Sequence, residues 1–178
     1  FSSSGVCGIA NTSGVYTYYS TYTLAMAAAT VGQTIEQFAD ITETGAVQIT
    51  QKAGVNIDGH GHTYTLSNAG ASHAFYFDDA TAKYTNIQNL NIIRSGSASY
   101  CFQIAANSTG YLDFTGSIFR NTGTGVGLGA ATTPSLTISN LSAYSISKKT
   151  DTCDNNICHG LVCKRNSSNF SGFFARAF

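Results

Sequence analysis

The sequence predicts an all-β fold, a coil of parallel strands making about five rungs, on three observations. A short phrase of alternating apolar and polar residues around a Gly or Asn occurs five times: Val55-Asn56-Ile57-Asp58-Gly59, Ile87-Gln88-Asn89-Leu90-Asn91-Ile92, Phe114-Thr115-Gly116-Ser117-Ile118-Phe119, Ile138-Ser139-Asn140-Leu141-Ser142-Ala143 and Phe170-Ser171-Gly172-Phe173-Phe174. Aligned on residues 57, 87, 114, 138 and 170, the copies stand 30, 27, 24 and 32 residues apart, within the period of about 20 to 50 residues that marks stacked repeats. After residue 32 the hydrophobic period is two and no helical stripe appears, which argues against a sheet built from βαβ units. An antiparallel sandwich is the rival, but the two-residue hairpin dipeptides that would reverse the chain are scarce.

Residues 1–22 are small, polar and Tyr-rich (Tyr16, Tyr18, Tyr19, Tyr22) and read as a lead-in segment with a short strand, while 23–178 form the coil. Leu24, Ala27, Ala28 and Val31 fall at i, i+3, i+4 and i+7, with Thr23 placed to cap the first turn and Gly32 to end the last. This predicts one short helix with those four residues on its apolar side. Period-two runs follow at 34–35, 46–50 and 55–57. Brief β-branched or aromatic runs then recur at 63–66, 74–77, 87–93, 101–104, 111–119, 136–138 and 159–163, interrupted by Gly, Asn or Ser. The run 173–178 stops as an apolar strand, and stacked repeats need polar caps, so a partner chain or further sequence is expected there. Phe1 in place of an initiator Met reads as a processed N-terminus or the edge of a longer polypeptide.

With 178 residues and 43% hydrophobic content, the chain fits one packed domain. Only 10% of residues are charged, against about 25% in ordinary domains, so the polar surface comes from Ser, Thr, Asn, Gln and Gly. Net charge is zero, and no overall field draws the chain to nucleic acid or to an anionic membrane. Residues 1–140 carry four basic and seven acidic side chains, residues 141–178 five basic and two acidic. Aromatic residues do not alternate with those bases as they do in single-strand binders. No run of about 18 apolar residues is present, so no helical membrane span is expected.

The Ala-rich piece Leu24-Ala25-Met26-Ala27-Ala28-Ala29 is followed by Gly32-Gln33-Thr34-Ile35, Val47-Gln48-Ile49 and Gly54-Val55-Asn56-Ile57-Asp58-Gly59-His60-Gly61. Together they resemble the opening of the right-handed parallel β-helix proteins of the pectin-lyase-like group. That group includes pectate lyases, polygalacturonases, pectin methylesterases and many viral tail-spike proteins. The resemblance implies that the helix closes the N-terminal end and later rungs stack upon it. Residues 87–92 are similar to the group's tight turn between two sheets, which implies a left-handed backbone at Asn89 and Asn140. Gly59, Gly116 and Gly172 suit the same place because they lack a Cβ.

Asp58, His60 and His62 alternate, and one continuous strand would set all three on one face as metal ligands. Gly59 and Gly61 break that strand and no further zinc ligand is identifiable, so a structural turn is the stronger reading and no cofactor is expected. Asp78-Asp79 and His159-Gly160 resemble two polygalacturonase motifs, whose paired acids protonate the leaving group and activate water. The family's motifs lie about one rung apart, whereas 80 residues separate Asp79 from His159, so a solvated turn at Asp78 and Asp79 is the better reading. Lys83, Arg94 and Arg120 are candidate lyase bases without an accompanying acidic cluster, and no Gly-x-Ser-x-Gly elbow is present. Cys101 is expected to face the core. Cys153, Cys158 and Cys163 flank His159 at Cys-x4-Cys-x4-Cys. They read as a disulfide of Cys153 with Cys158 or Cys163 in an oxidising compartment, or as buried thiols. The Asn-x-Ser/Thr sequons at Asn11, Asn107, Asn140, Asn166 and Asn169 exceed chance by little in so Ser- and Thr-rich a chain.

The expected function is that of an extracellular or virion-surface structural and attachment protein, tail-spike or fibre-like. Tyr and Phe exposed along a rung would stack on sugar rings and give a glycan ligand. The resemblance implies a homo-oligomer, a trimer as among tail-spike relatives. The alternatives are a polysaccharide lyase or glycoside hydrolase of the same group, and a cell-surface adhesin.

Overall fold

A computed structural model describes residues 5–67, 72–95, 100–105 and 108–122, together with strands at 126–130, 135–139, 142–145, 170–171 and 174–175. A hairpin of β1 (Cys7–Ala10) and β2 (Tyr16–Tyr19) leads into α1 (Tyr22–Ala28). Repeated passes follow through three sheets. The first pass is β3 (Thr34–Gln37), β4 (Ile41–Thr44) and β5 (Ile49–Gln51), and the second β6 (Asn56–Asp58), β7 (Thr63–Ser67) and β8 (Phe75–Phe77). The third is β9 (Tyr84–Gln88), β10 (Asn91–Arg94) and β11 (Tyr100–Ile104), and the fourth β12 (Thr109–Asp113), β13 (Ile118–Asn121) and β14 (Val126–Ala130). Strands β15 (Ser135–Ser139), β16 (Ser142–Ser145), β17 (Phe170–Ser171) and β18 (Phe174–Ala175) continue two of the sheets.

From β3 to β16 each strand pairs in parallel with the one three places further along the chain. This order is compatible with a β-helix. The two ends depart from it: β1 pairs antiparallel with both β2 and β3, and β15 and β16 pair in parallel with β17 and β18, two places along. The repeated phrase marks the register. Ile57 pairs with Ile87, and Ile138 with Phe170. Between the third and fourth copies the register differs from the expected alignment, because Leu112 rather than Phe114 pairs with Ile138. Leu112 is the inward residue of its strand, and the inward apolar set decides register.

Stacking buries an apolar column in each sheet, and Phe77 with Ile104 adds a second buried pair in the four-stranded one. Ile35, Ile57 and Ile87 form the first, Ile41 paired with Tyr64, then Ile92 and Phe119 the second, and Ile49, Phe75 and Phe102 the third. The rings of Phe75 and Phe102 lie 6.1 Å apart and 6° from parallel. Each such buried side chain contributes about 1.5–3 kcal/mol.

The helix lies where the sequence places it but turns the opposite side inward. Tyr22, Ala25, Met26 and Ala29 are buried, whereas Leu24 and Val31 are exposed. Thr21, not Thr23, is the N-cap, accepting the Leu24 N–H at 3.2 Å. Both stripes have helical spacing, and the one with a Tyr and a Met covers more apolar area. The Tyr22 hydroxyl donates to Oε1 of buried Gln37, whose amide donates to the carbonyls of Ala39 and Thr63. Lys52 Nζ donates to the Ala27 and Ala29 carbonyls, a cation at the helix C-terminus. Among the described residues no helix is long and apolar enough to cross a membrane.

Candidate functional site

In the eight-stranded sheet the residues that alternate with the buried isoleucines face outward, and parallel pairing lines them into columns. Tyr18, Gly8, Glu36, Asp58 and Gln88 share one column. Thr34 and Asn56 begin a second, which Asn86 and Asp113 continue, the Asn86 N–H donating to Asn56 Oδ1. Tyr84 and Tyr111 pair in a third.

Aromatic rings lie at both ends of this face. Gly8 leaves a bare spot on β1, where a Cβ would stand 3.0 Å from Phe38 Cε2 and 3.2 Å from Tyr16 Cδ1. Tyr16, Tyr18 and Phe38 fill it, with ring centroids 5.3 to 5.9 Å apart. Phe38 also stacks on His60 at 6.3 Å. The Tyr16 hydroxyl donates to Glu36 Oε1 at 2.6 Å, and His60 Nε2 meets Glu36 Oε2 at 2.9 Å. At the other end Tyr84 and Tyr111 are more than half exposed, 6.5 Å apart, and the Tyr84 hydroxyl donates to Asp113 Oδ2 at 2.8 Å. The bond to Glu36 raises the Tyr16 phenol and the bond to Asp113 raises that of Tyr84, so both stay protonated donors.

Asp58, His60 and His62 are not gathered on one point. Asp58 accepts the His60 N–H and the amides of Gln88 and Asn89. Burial works to raise its carboxyl, but these bonds outweigh it and hold the group below the usual carboxylate range. His62 turns to Asp40 at 3.3 Å instead. Among the described residues no group of three or more His, Cys, Asp or Glu could hold a metal ion. The break comes at the corner itself, where His60 and Gly61 take positive φ of 49° and 80°.

Asp79 Oδ1 accepts the N–H and hydroxyl of Thr81 at 2.8 and 2.5 Å, and Oδ2 the Ala53 N–H at 3.3 Å. Against the effect of burial, these donors and Lys83 hold its carboxyl low, which suits a turn acceptor and not a general acid. Asp78 is exposed and accepts the Tyr76 hydroxyl at 3.4 Å. Arg94 is fully buried inside the coil, its Nε donating to the Ser72 carbonyl at 2.8 Å. Arg120 is exposed on β13. Cys7 and Cys101 are buried free thiols, and burial pushes the Cys101 thiol up to about 12.

At the corners Asn89 has φ 51° and Gly116 φ 68°, both left-handed. Gly59 lies outside that region. Its role is close approach, for a Cβ there would stand 2.5 Å from the Asn89 carbonyl oxygen. His159, Cys153, Cys158, Cys163, Asn140 and Gly172 lie outside the described residues.

Sequence reasoning anticipated exposed aromatics along a rung without naming them. The signal was present in Tyr84, Tyr111 and Glu36, which have the outward parity beside the buried isoleucines, whereas Tyr16 and Phe38 become neighbours only through the antiparallel hairpin. No protein-family model matches the chain, nor does any curated protein or any solved structure.

Proposed function

We propose that the chain is a right-handed parallel β-helix of the pectin-lyase-like kind, acting as an extracellular or virion-surface structural and attachment protein that contacts glycans. The observation that carries this reading is the outer face of the eight-stranded sheet, where exposed aromatic rings are tied to carboxylates on a stack of parallel strands. Aromatic faces bind the C–H faces of sugars, while flanking carboxylates and amides accept and donate to hydroxyls. A homo-oligomer belongs to the same reading, since the sheet ends in β2, whose outer backbone edge can pair with another chain.

The test is retention of the protein on immobilised neutral and acidic polysaccharides, with parallel assay of the soluble fraction for new reducing ends and for absorbance of unsaturated products. Retention without product is the expected result. Release of oligosaccharides would replace attachment by a lyase or hydrolase activity.

A further inference from the structure

We propose that the outer face of the eight-stranded sheet is a track for a neutral pyranoside chain lying across the strands, with Tyr16, Tyr18 and Phe38 as one platform and Tyr84 with Tyr111 as a second. This rests on the glycan-attachment reading and adds the ligand's charge class, its length and the residues that hold it.

The rings are exposed yet already positioned. Tyr18 and Phe38 are 48% and 38% exposed, and Tyr84 and Tyr111 57% and 53%. Tyr16 is tied to Glu36, Tyr84 to Asp113, and Phe38 is stacked on His60. Apolar surface held in place in this way loses little conformational freedom when a ligand covers it.

Charge selects the class. Strands β2, β3, β6, β9 and β12 contain no Lys or Arg, while Glu36, Asp58 and Asp113 face outward from them. An acidic sugar would meet like charge. A cationic sugar is drawn by the same charge but finds no free carboxylate oxygen for a specific pair, because both Glu36 oxygens and both Asp58 oxygens already have donors from the sheet and from His60 at its corner. What remains on offer is Tyr hydroxyls and amide groups, which suit uncharged hydroxyls.

Spacing selects length. The first platform is centred on β1 and the second between β9 and β12, three and a half strands away in the order β12-β9-β6-β3-β1. At about 4.8 Å per strand this is about 17 Å along the stack. Asn56, Asn86 and Gln88 fill the interval with amides. One sugar ring reaches a single platform, whereas a linked chain engages both, so the hexasaccharide gains over its monosaccharide.

The test is titration of the full chain with maltohexaose, cellohexaose and mannohexaose, the matching monosaccharides, and hexagalacturonate. Binding is read by calorimetry and by tyrosine fluorescence, for which the chain has 10 Tyr and no Trp. Two double variants, Tyr18→Ala with Phe38→Ala and Tyr84→Ala with Tyr111→Ala, keep the result independent of either site's folding, checked by circular dichroism. At least one neutral hexasaccharide is expected to bind, far more tightly than its monosaccharide, and to weaken about tenfold in each variant. Neutral binding unchanged in both variants overturns the platforms and leaves attachment standing. Binding of hexagalacturonate alone overturns the neutral class while attachment stands. No binding to any probe removes both readings. A loss of self-association in the Tyr18→Ala, Phe38→Ala variant without change in sugar binding assigns the face to a second copy and overturns the track.

Discussion

Asn89 is held between Gly59 and Gly116 of neighbouring passes, and these two and Gly61 are required by close approach, by backbone conformation or by both. At Gly59 the backbone conformation is ordinary, but a Cβ would stand 2.5 Å from the Asn89 carbonyl oxygen and 2.6 Å from Leu90 Cα. At Gly61 nothing lies within 4 Å, yet φ is 80°. Gly116 combines both demands, with φ 68° and a would-be Cβ 2.6 Å from Asn89 Oδ1, an atom at the end of a side chain. Gly59→Ala is expected to cost about 2 kcal/mol through displaced backbone, and Gly61→Ala about 1 kcal/mol through φ alone. Gly116→Ala should fall at or above the Gly61 value. Urea midpoints of the three variants check the order, and equal losses at Gly59 and Gly61 would contradict the close-approach account. The repeated phrase thus located the corner, since Gly and Asn are the residues that tolerate it. It did not distinguish conformation from proximity, because proximity involves a neighbour about 30 residues away.

The helix shows how an element can be legible in place and misread in orientation. Residues 22, 25, 26 and 29 and residues 24, 27, 28 and 31 both repeat at i, i+3, i+4 and i+7. The stack selects the first set because Tyr22 reaches Gln37 and packs edge-on against Tyr64 and Phe75, 5.7 and 5.6 Å away. Met26→Ala is therefore expected to destabilise by about 2–5 kcal/mol, Thr21→Ala by about 1 kcal/mol, and Leu24→Ala by less than about 0.5 kcal/mol. Thermal or chemical unfolding of the three variants decides the matter, and the reverse order for Met26 and Leu24 would put the other face inward. The same lesson applies to the run 111–119, read as one stretch but divided into β12 and β13 by the corner at Thr115 and Gly116. Period-two alternation survives on each side of a corner, and only the pairing partners reveal the bend.

For the molecule as a whole, acid should act in two stages. Burial, and then the Arg94 charge, hold the His73 imidazole below its ordinary 6.5, and its Nδ1 accepts the Tyr100 N–H at 3.3 Å. The unfolded chain takes up this proton more readily, so stability is expected to fall as pH drops from about 6.5 through the lower folded value. Asp58 and Asp79 sit below their ordinary 3.8 despite burial, held by their donors. Their contribution is present above that value and is lost as pH falls through the folded ones. Urea unfolding at about pH 8, 5.5 and 2.5 should show both declines, with the first absent in His73→Asn and the second retained. A first decline of unchanged size in that variant would assign it to another group. By itself the sequence determined the repeated strands, the corner at Asn89 and the low surface charge, because alternation, left-handed tolerance and composition are local properties. Tertiary structure alone decided the buried helix face, the register of Leu112 with Ile138, and the joining of Tyr16, Phe38, Glu36, Tyr84 and Tyr111 into one outer surface. Those outcomes depend on which residues stack across passes, and parallel pairing, with the antiparallel hairpin for Tyr16 and Phe38, brings together positions 20 to 30 residues apart that share no local signal.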